Sequence, residues 1–337
     1  MSSTGSNYAP LTATELGTLW MEYQMDTLSM RVLEYFMEKA EGEESRTIFQ
    51  SDYKNKVEHI EAITTIFQNE NAVLPIGYTE NDVNKGVPRL WDDSFDMMYT
   101  RVMAKVQIGF YALHSSMAYR EDIRSLTKRF TADAQETYDQ TTAFLLEKGV
   151  LARPPYVSMP KEVEFVDGKG YMSGFNLLSD KRALNTVEIA NIYQSMESNI
   201  LGVQLMAGFA QSAQEKETKQ YFTKGMELSK KVVNTLGQLL MNSDIQPPST
   251  WTGRATDSTL PPFSDKLMMY NTSLLSTFGL GTNTIGAAFS LRTDLPLKMA
   301  KLAQDIFNFS KEGGKLMVNH NWMEEPPQAE DRNQLMK

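Results

Sequence analysis

Leu11-Thr12-Ala13-Thr14-Glu15-Leu16 returns further along the chain as Leu184-Asn185-Thr186-Val187-Glu188-Ile189, 173 positions later. Other landmarks keep nearly the same spacing. Glu44 and Phe49 recur as Glu217 and Phe222, and Gly109, Arg120, Asp122 and Pro154-Pro155 recur as Gly281, Arg292, Asp294 and Pro326-Pro327. A repeat of this length is one domain-sized unit copied in tandem. The stretch is also a helix start. Thr12 followed three residues on by Glu15 has capping-box spacing, in which the hydroxyl accepts from a first-turn amide and the carboxylate reaches back to the cap amide. Asn185 and Glu188 repeat it, so the recurring Glu reads as a cap before it reads as a catalytic carboxylate.

From that cap, Leu16, Tyr23, Met30 and Met37 recur every seven positions with Leu19 and Leu33 between them, one apolar stripe of a long helix. Glu41-Gly42-Glu43-Glu44 breaks it, and Phe49, Tyr53, Val57, Ile60, Thr64 and Phe67 mark a second helix to about Asn69. Residues 71–90 then lack helical periodicity and hold Pro75, Gly77, Gly86 and Pro88; residues 244–262 are the matching gap. A connection this long is able to run the length of the helices, so it reads as a crossover. Helix three follows through Phe95, Met98, Val102, Val106, Gly109 and Leu113, and helix four through Ile123, Leu126, Phe130, Ala134, Thr137, Thr141 and Leu145. Asp122 and Asp294 are expected to cap the fourth helix of each half, with Pro296 tolerated in its first turn. Short turn, long crossover, short turn is the connectivity of ferritin-like bundles.

The expected fold class is therefore all-α, two tandem ferritin-like four-helix bundles. Residues 1–10 form an N-terminal arm, 11–150 the first bundle, 151–183 a structured Pro/Gly-containing linker, 184–327 the second bundle and 328–337 a tail. Val163-Glu164-Phe165-Val166 before Asp167-Gly168 suggests a small β-hairpin in the linker, with Phe165, Tyr171 and Phe175 anchoring it to a bundle.

The 337 residues carry a formal net charge of −9 and a pI near 5.1, which disfavours nucleic acid and anionic lipid as partners. The absence of cysteine excludes disulfides, thiolate metal sites and cysteine nucleophiles. Met1 to Pro10 has neither a basic start nor an apolar run, and no stretch is long enough for a membrane span, so synthesis in the cytoplasm without a signal peptide and no membrane insertion are expected. The 21 methionines read as adaptable core fillers.

A ferritin-like di-iron site needs inward carboxylates and a Glu-x-x-His on each of two helices. His59, His114 and His320 follow Lys56, Tyr111 and Met317 at that spacing, so the motif does not occur. His59 and His114 align with Val232 and Gly286 in the second half, which favours packing over ligation; Glu58, Glu61, Glu22 and Asp26 are the candidate neighbours of His59. Gly279, Gly281 and Gly286 cluster on one helix of the second half, read as sites of close backbone approach. No phosphate loop and no nucleophile elbow is present.

The Leu-Thr-Ala-Thr-Glu-Leu-Gly start with Leu19-Trp20, the Leu74-Pro75-Ile76-Gly77 stretch, Gly149-x-x-x-Arg153-Pro154-Pro155-Tyr156, and Pro261-Pro262-Phe263-Ser264-Asp265-Lys266-Leu267-Met268 together resemble the tandem ferritin-like family filed as domain of unknown function 3231. That family is found in endospore-forming bacteria and is related to spore coat protein F-like proteins. The resemblance runs from about Leu11 to Gln334. It implies a ferritin-like fold and a link to sporulation, and it transfers no catalytic residues; the His at position 59 is one the family often carries.

The reading that follows is a non-enzymatic structural protein with no cofactor and no catalytic or metal residues. It associates with itself, as a homo-oligomer or lattice, or with other spore-surface proteins, using connections rich in aromatics such as Tyr78, Trp91, Trp251 and Trp322. A metal-binding ferritin-like oxidase or metal store is the alternative, and a small-molecule-binding helical bundle is the second.

Overall fold

Caps and apolar stripes place eight long helices where the sequence puts them. A computed structural model describes residues 9–166, 168–174, 181–248 and 255–336. The helices are α1 (Ala13–Lys39), α2 (Glu43–Asn69), α3 (Asp93–Met117), α4 (Glu121–Glu147), α5 (Thr186–Ser212), α6 (Lys216–Met241), α7 (Asp265–Phe289) and α8 (Asp294–Asn319), with a short α9 (Arg332–Leu335) in the tail. In each half the first two helices pack as one hairpin and the last two as another, the two hairpins closing a four-helix bundle.

Both expected capping boxes form. Thr12 accepts from the Glu15 amide, and the Glu15 carboxylate takes the Thr12 amide at 2.8 Å; Asn185 and Glu188 do the same, with Asn185 N–H donating to Glu188 at 3.0 Å. Glu15 does more than cap α1. Its second oxygen accepts the Tyr119 and Arg120 amides at 2.8 and 2.7 Å, tying the α3–α4 turn to the start of α1. Burial opposes its ionisation, yet the amides of Arg120, Thr12 and Tyr119 outweigh this and hold the Glu15 carboxyl down at about 2.

Asp122 and Asp294 do not cap α4 and α8. Each lies inside the first turn and is held by the guanidinium two residues earlier, Arg120 at 2.7 Å and Arg292 at 2.8 Å. The fork geometry of Arg with a carboxylate competes with the helix amides for the same oxygens.

The crossovers behave as expected and then do something further. Glu70, at the end of α2, pairs with Arg120 at one end of the first bundle, while the Leu90 amide donates to the Tyr35 hydroxyl at the other, so residues 70–92 run end to end. On the way this crossover meets its counterpart in the second half. Val83 and Phe263 form an isolated antiparallel bridge, with Asn84 N–H donating to Pro262 O at 2.8 Å and Ser264 N–H to Asp82 O at 3.0 Å.

Trp91 then crosses into the second half, lying against Gly208 so closely that a Cβ there would collide with the indole, and its Nε1–H donates to Gln204 O at 3.2 Å. Phe263, which is the repeat's equivalent of Trp91, returns the contact edge-on to Tyr35 at 5.3 Å; Tyr35 in turn is the equivalent of Gly208. Glu324 from the end of the second half accepts the Ile76 and Gly77 amides at 2.8 Å each. Arg101 pairs with Glu197 across the α3–α5 seam at 2.9 Å, and Lys105 pairs with the same carboxylate.

Tyr78 and Trp91 are therefore buried, and Trp322 is half-buried and stacked on His320. Of the aromatics expected to serve an intermolecular interface, Tyr78, stacked on Tyr270, and Trp91, seated on Gly208, lock the two halves to each other; Trp251 lies outside the described residues. One apolar core includes all four helices of the first half together with Leu205, Phe209, Phe222 and Met268 of the second. A smaller core around Leu184, Ile192, Val232 and Leu295 occupies the far end of the second bundle.

The described part of the linker contains no strand. Val163 to Val166 is exposed, and Phe165, at 91% exposure, anchors nothing; a lone hairpin with no core face to cover is at best marginal in water. Lys169–Met172 forms a 3₁₀ turn instead. Tyr171 does anchor, under the Arg182 guanidinium at 4.0 Å, and its hydroxyl accepts from the Asn185 side-chain Nδ2–H at 3.1 Å. Phe175 and Asp167, and the arm through residue 8, lie outside the described residues.

Because the halves share a core, calorimetric unfolding is expected as one transition, with equal calorimetric and van't Hoff enthalpies; two resolved transitions would show independent bundles. Gly208→Ala, which drives a methyl into Trp91, is expected to cost about 1–3 kcal/mol in denaturant melts. Glu15 has a folded pKa depressed from 4.5 to about 2, so its stabilisation is complete above 4.5 and is lost as pH falls toward 2. The stability gap between the native chain and Glu15→Gln should accordingly close over that window.

Candidate functional site

Midway along the first bundle, four helices contribute polar side chains to a layer that is otherwise apolar. Glu22, Asp26 and Ser29 come from α1, Asp52, Lys56 and His59 from α2, Gln107, Tyr111 and His114 from α3, and Asp133 and Thr137 from α4. Helical spacing accounts for this: Glu22, Asp26 and Ser29, like Asp52, Lys56 and His59, fall three or four residues apart on one face. Nearly all are buried, Lys56 and His59 at 0% exposure.

Lys56 sits at the middle. Its ammonium donates to Gln107 Oε1 at 2.9 Å and lies 3.3 Å from Asp52 and 4.0 Å from Asp26. Gln107 passes the chain on, donating to Ser29 Oγ at 3.0 Å. His59 places Nδ1 3.2 Å from Asp26 and Nε2 2.9 Å from Asp133, with its ring stacked on Phe130 at 3.7 Å. Tyr111 donates its hydroxyl to Asp26. His114 Nδ1 meets Glu22 at 2.9 Å.

The electrostatics follow from burial and pairing. Loss of solvent pushes the Glu22 carboxyl above its ordinary range, against the opposing hydrogen bond from His114. Burial, with the Asp26 carboxylate alongside, lifts the Tyr111 phenol well above its usual value. The hydrogen bond from His59 holds Asp133 below the usual carboxylate range, against partial desolvation.

This layer lies where a ferritin-like bundle would carry a di-metal centre, and its residues do not fit one. Lys56 stands three positions before His59, where the motif needs Glu, and its ammonium already lies among the carboxylates of Asp26 and Asp52. Both ring nitrogens of His59 face carboxylate oxygens, leaving neither for a metal. Among the described residues, no three His, Asp or Glu side chains are grouped to hold an ion. The layer is a network of basic and acidic partners, the form in which buried charge is tolerable, with Glu22 Oε2 left buried and without a hydrogen bond.

Of the histidines weighed in the sequence, His59 and His114 are thus buried and paired, and His320 lies at the surface, stacked on Trp322 and 3.4 Å from Glu217. Asp26 is the one expected neighbour of His59 that touches it. Asp133, more than seventy residues away in sequence, gave no local signal. Nor did Lys56, whose spacing to His59 marks only what it is not. The second half lacks the layer: Glu22, Asp26, Asp52, Lys56, His59, Tyr111 and His114 are matched by Ser195, Asn199, Gly225, Ser229, Val232, Asn283 and Gly286. Acids and bases disappear together, and Asp305, the match of Asp133, pairs outside with Lys231 at 2.7 Å.

Interlocked repeats with a polar layer in only one of them define a tandem helical-bundle protein. The chain belongs to the family described as protein of unknown function (DUF3231), whose model matches residues 1–163 and again residues 172–335. Among solved structures, one described as a "putative spore coat protein" from Bacillus halodurans C-125 shares 19% identity at a TM-score of 0.42, over 44% of this chain and 98% of its own. No curated protein matches the chain. No helix among the described residues is long and apolar enough to cross a membrane.

Lys56→Ser alone strands Asp26 and Asp52 in the core and is expected to cost about 3–5 kcal/mol. Adding Asp26→Asn, the second half's residue, should recover part of that loss, a non-additivity read from denaturant melts of the single and double variants.

Proposed function

We propose that this chain is a non-enzymatic structural protein of ferritin-like descent that associates with itself in a spore-related assembly. The observation that carries the non-enzymatic part is Lys56. Its ammonium fills the centre of the polar layer, and Lys56, His59 and His114 are each engaged with an acid or an amide, which supports a structural rather than a catalytic role for them.

Self-association rests on a surface rather than on the loop aromatics. Ile285 and Phe289 of α7 and Leu297 and Phe307 of α8 are exposed, flanking a seam floored by Ala287, Ala300 and Ala303. Their matches in the first half are Leu113, Met117, Ser125 and Gln135, so the second bundle has gained apolar surface on α8 where the first is polar. Such a face costs solubility unless something covers it, and a second copy supplies the same apolar chemistry. The spore setting comes from the family resemblance alone.

Light scattering over a concentration series, with iron, manganese and zinc analysed on the same fractions, tests both parts. Concentration-dependent association without stoichiometric metal is the expected result, and Phe289→Glu should shift it toward monomer. A monomer at all concentrations would overturn self-association, and one or two metals per chain would return the oxidase.

A further inference from the structure

The geometry points to a ligand site in the second bundle, at the level where the first bundle carries its polar layer, that takes a small neutral molecule with an apolar body and one hydroxyl or carbonyl. This goes beyond the structural reading and does not depend on it. The repeat supplies the first step. Ser29, Asp52, Lys56 and Gln107 fill the layer in the first half; their equivalents are Gly202, Gly225, Ser229 and Gly279. Four side chains shrink to three glycines and a serine, while Phe309, in place of Thr137, refills only part of the space.

What remains is a cavity of about 70 Å³ whose lining includes all four of these positions, walled by Met206 and Phe309 and reached by Val102 from α3. The small residues are not all there for packing. Side chains at Gly202 and Gly225 would crowd Ser229 Oγ at 2.9 Å and Phe309 Cζ at 2.8 Å, so those two admit their neighbours closely. Gly279 is different: a Cβ there would meet nothing within 4 Å. In the interior of α7, glycine costs about 1 kcal/mol relative to alanine, and here no close contact offsets that cost. The space it opens is what the substitution yields.

The lining sets the ligand class. It contains no Asp, Glu, Lys, Arg or His, so an ion would enter without a counter-charge, at a high desolvation cost. Most of the wall is apolar, and the Ser229 and Ser276 hydroxyls, neither with a hydrogen-bond partner among the described residues, are available to one polar group. The volume is about half that of the dry engineered cavity of about 150 Å³ that accepts benzene, which sets a compact ligand.

The probes are isobutanol and xenon, read by NMR on protein labelled with ¹³C at the methionine methyls; Met206 is the reporter, assigned from Met206→Leu. In the native chain both probes should shift the Met206 methyl saturably. Ser229→Ala should weaken isobutanol about fivefold and leave xenon unchanged. Gly279→Leu should abolish both shifts while unfolding at or above the native midpoint. Should that variant fail to fold, Gly279→Ala carries the test, with at least a twofold loss of affinity for both probes. No saturable shift in the native chain, a shift that persists in Gly279→Leu, or unchanged affinity in Gly279→Ala would overturn the proposal.

Discussion

A fully buried lysine ammonium inside a four-helix bundle sets the terms for everything around it. Lys56 is fully buried, and a charge in that position is sustainable only with acids and amide oxygens arranged on it. Asp26, Asp52 and Gln107 provide them, and each brings its own requirement: Asp26 is shared with His59 and Tyr111, Gln107 with Ser29. The result ties all four helices of the first bundle at one level and fixes their register. It also commits the Lys56 ammonium and both ring nitrogens of His59 to acidic and amide partners.

The second constraint is the way the copies hold each other. Trp91 reaches into the second half and Phe263 reaches back into the first, from equivalent places in the repeat onto equivalent places in the partner half. This is the logic of a symmetric dimer interface carried out within one chain. The halves nevertheless differ where it matters chemically. One carries a charged layer. The other has neither its acids nor its bases at the equivalent positions, which avoids the cost of stranding either sign.

Much of the fold was legible because it is local or periodic. Thr12 with Glu15 announces a helix start through chemistry confined to four residues, and the seven-residue spacing of Leu16, Tyr23, Met30 and Met37 announces its buried face. The crossovers were legible by their lack of period. Less could be read wherever a side chain's partner is remote: nothing near Trp91 says that its seat is Gly208. Aromatics in loops read as surface anchors because loops usually are surface. Here they meet the other copy. Of the polar layer, the histidines and Asp26 drew attention, whereas Lys56 and Asp133 did not, since a Lys or Asp on an amphipathic helix is ordinarily solvated. Gly279 drew attention as a close-packing glycine and proves to border open space.

The reading most exposed to experiment is that the layer around Lys56 holds no metal ion. Thermal unfolding of the native chain after exhaustive chelation, repeated with added ferrous, manganous or zinc ion, measures this directly, since any species that binds the folded state raises its midpoint. The same midpoint is expected throughout for the native chain, whose His59 ring nitrogens and layer carboxylates are already paired. A native midpoint that rises by several degrees and saturates at one or two ions per chain would contradict it.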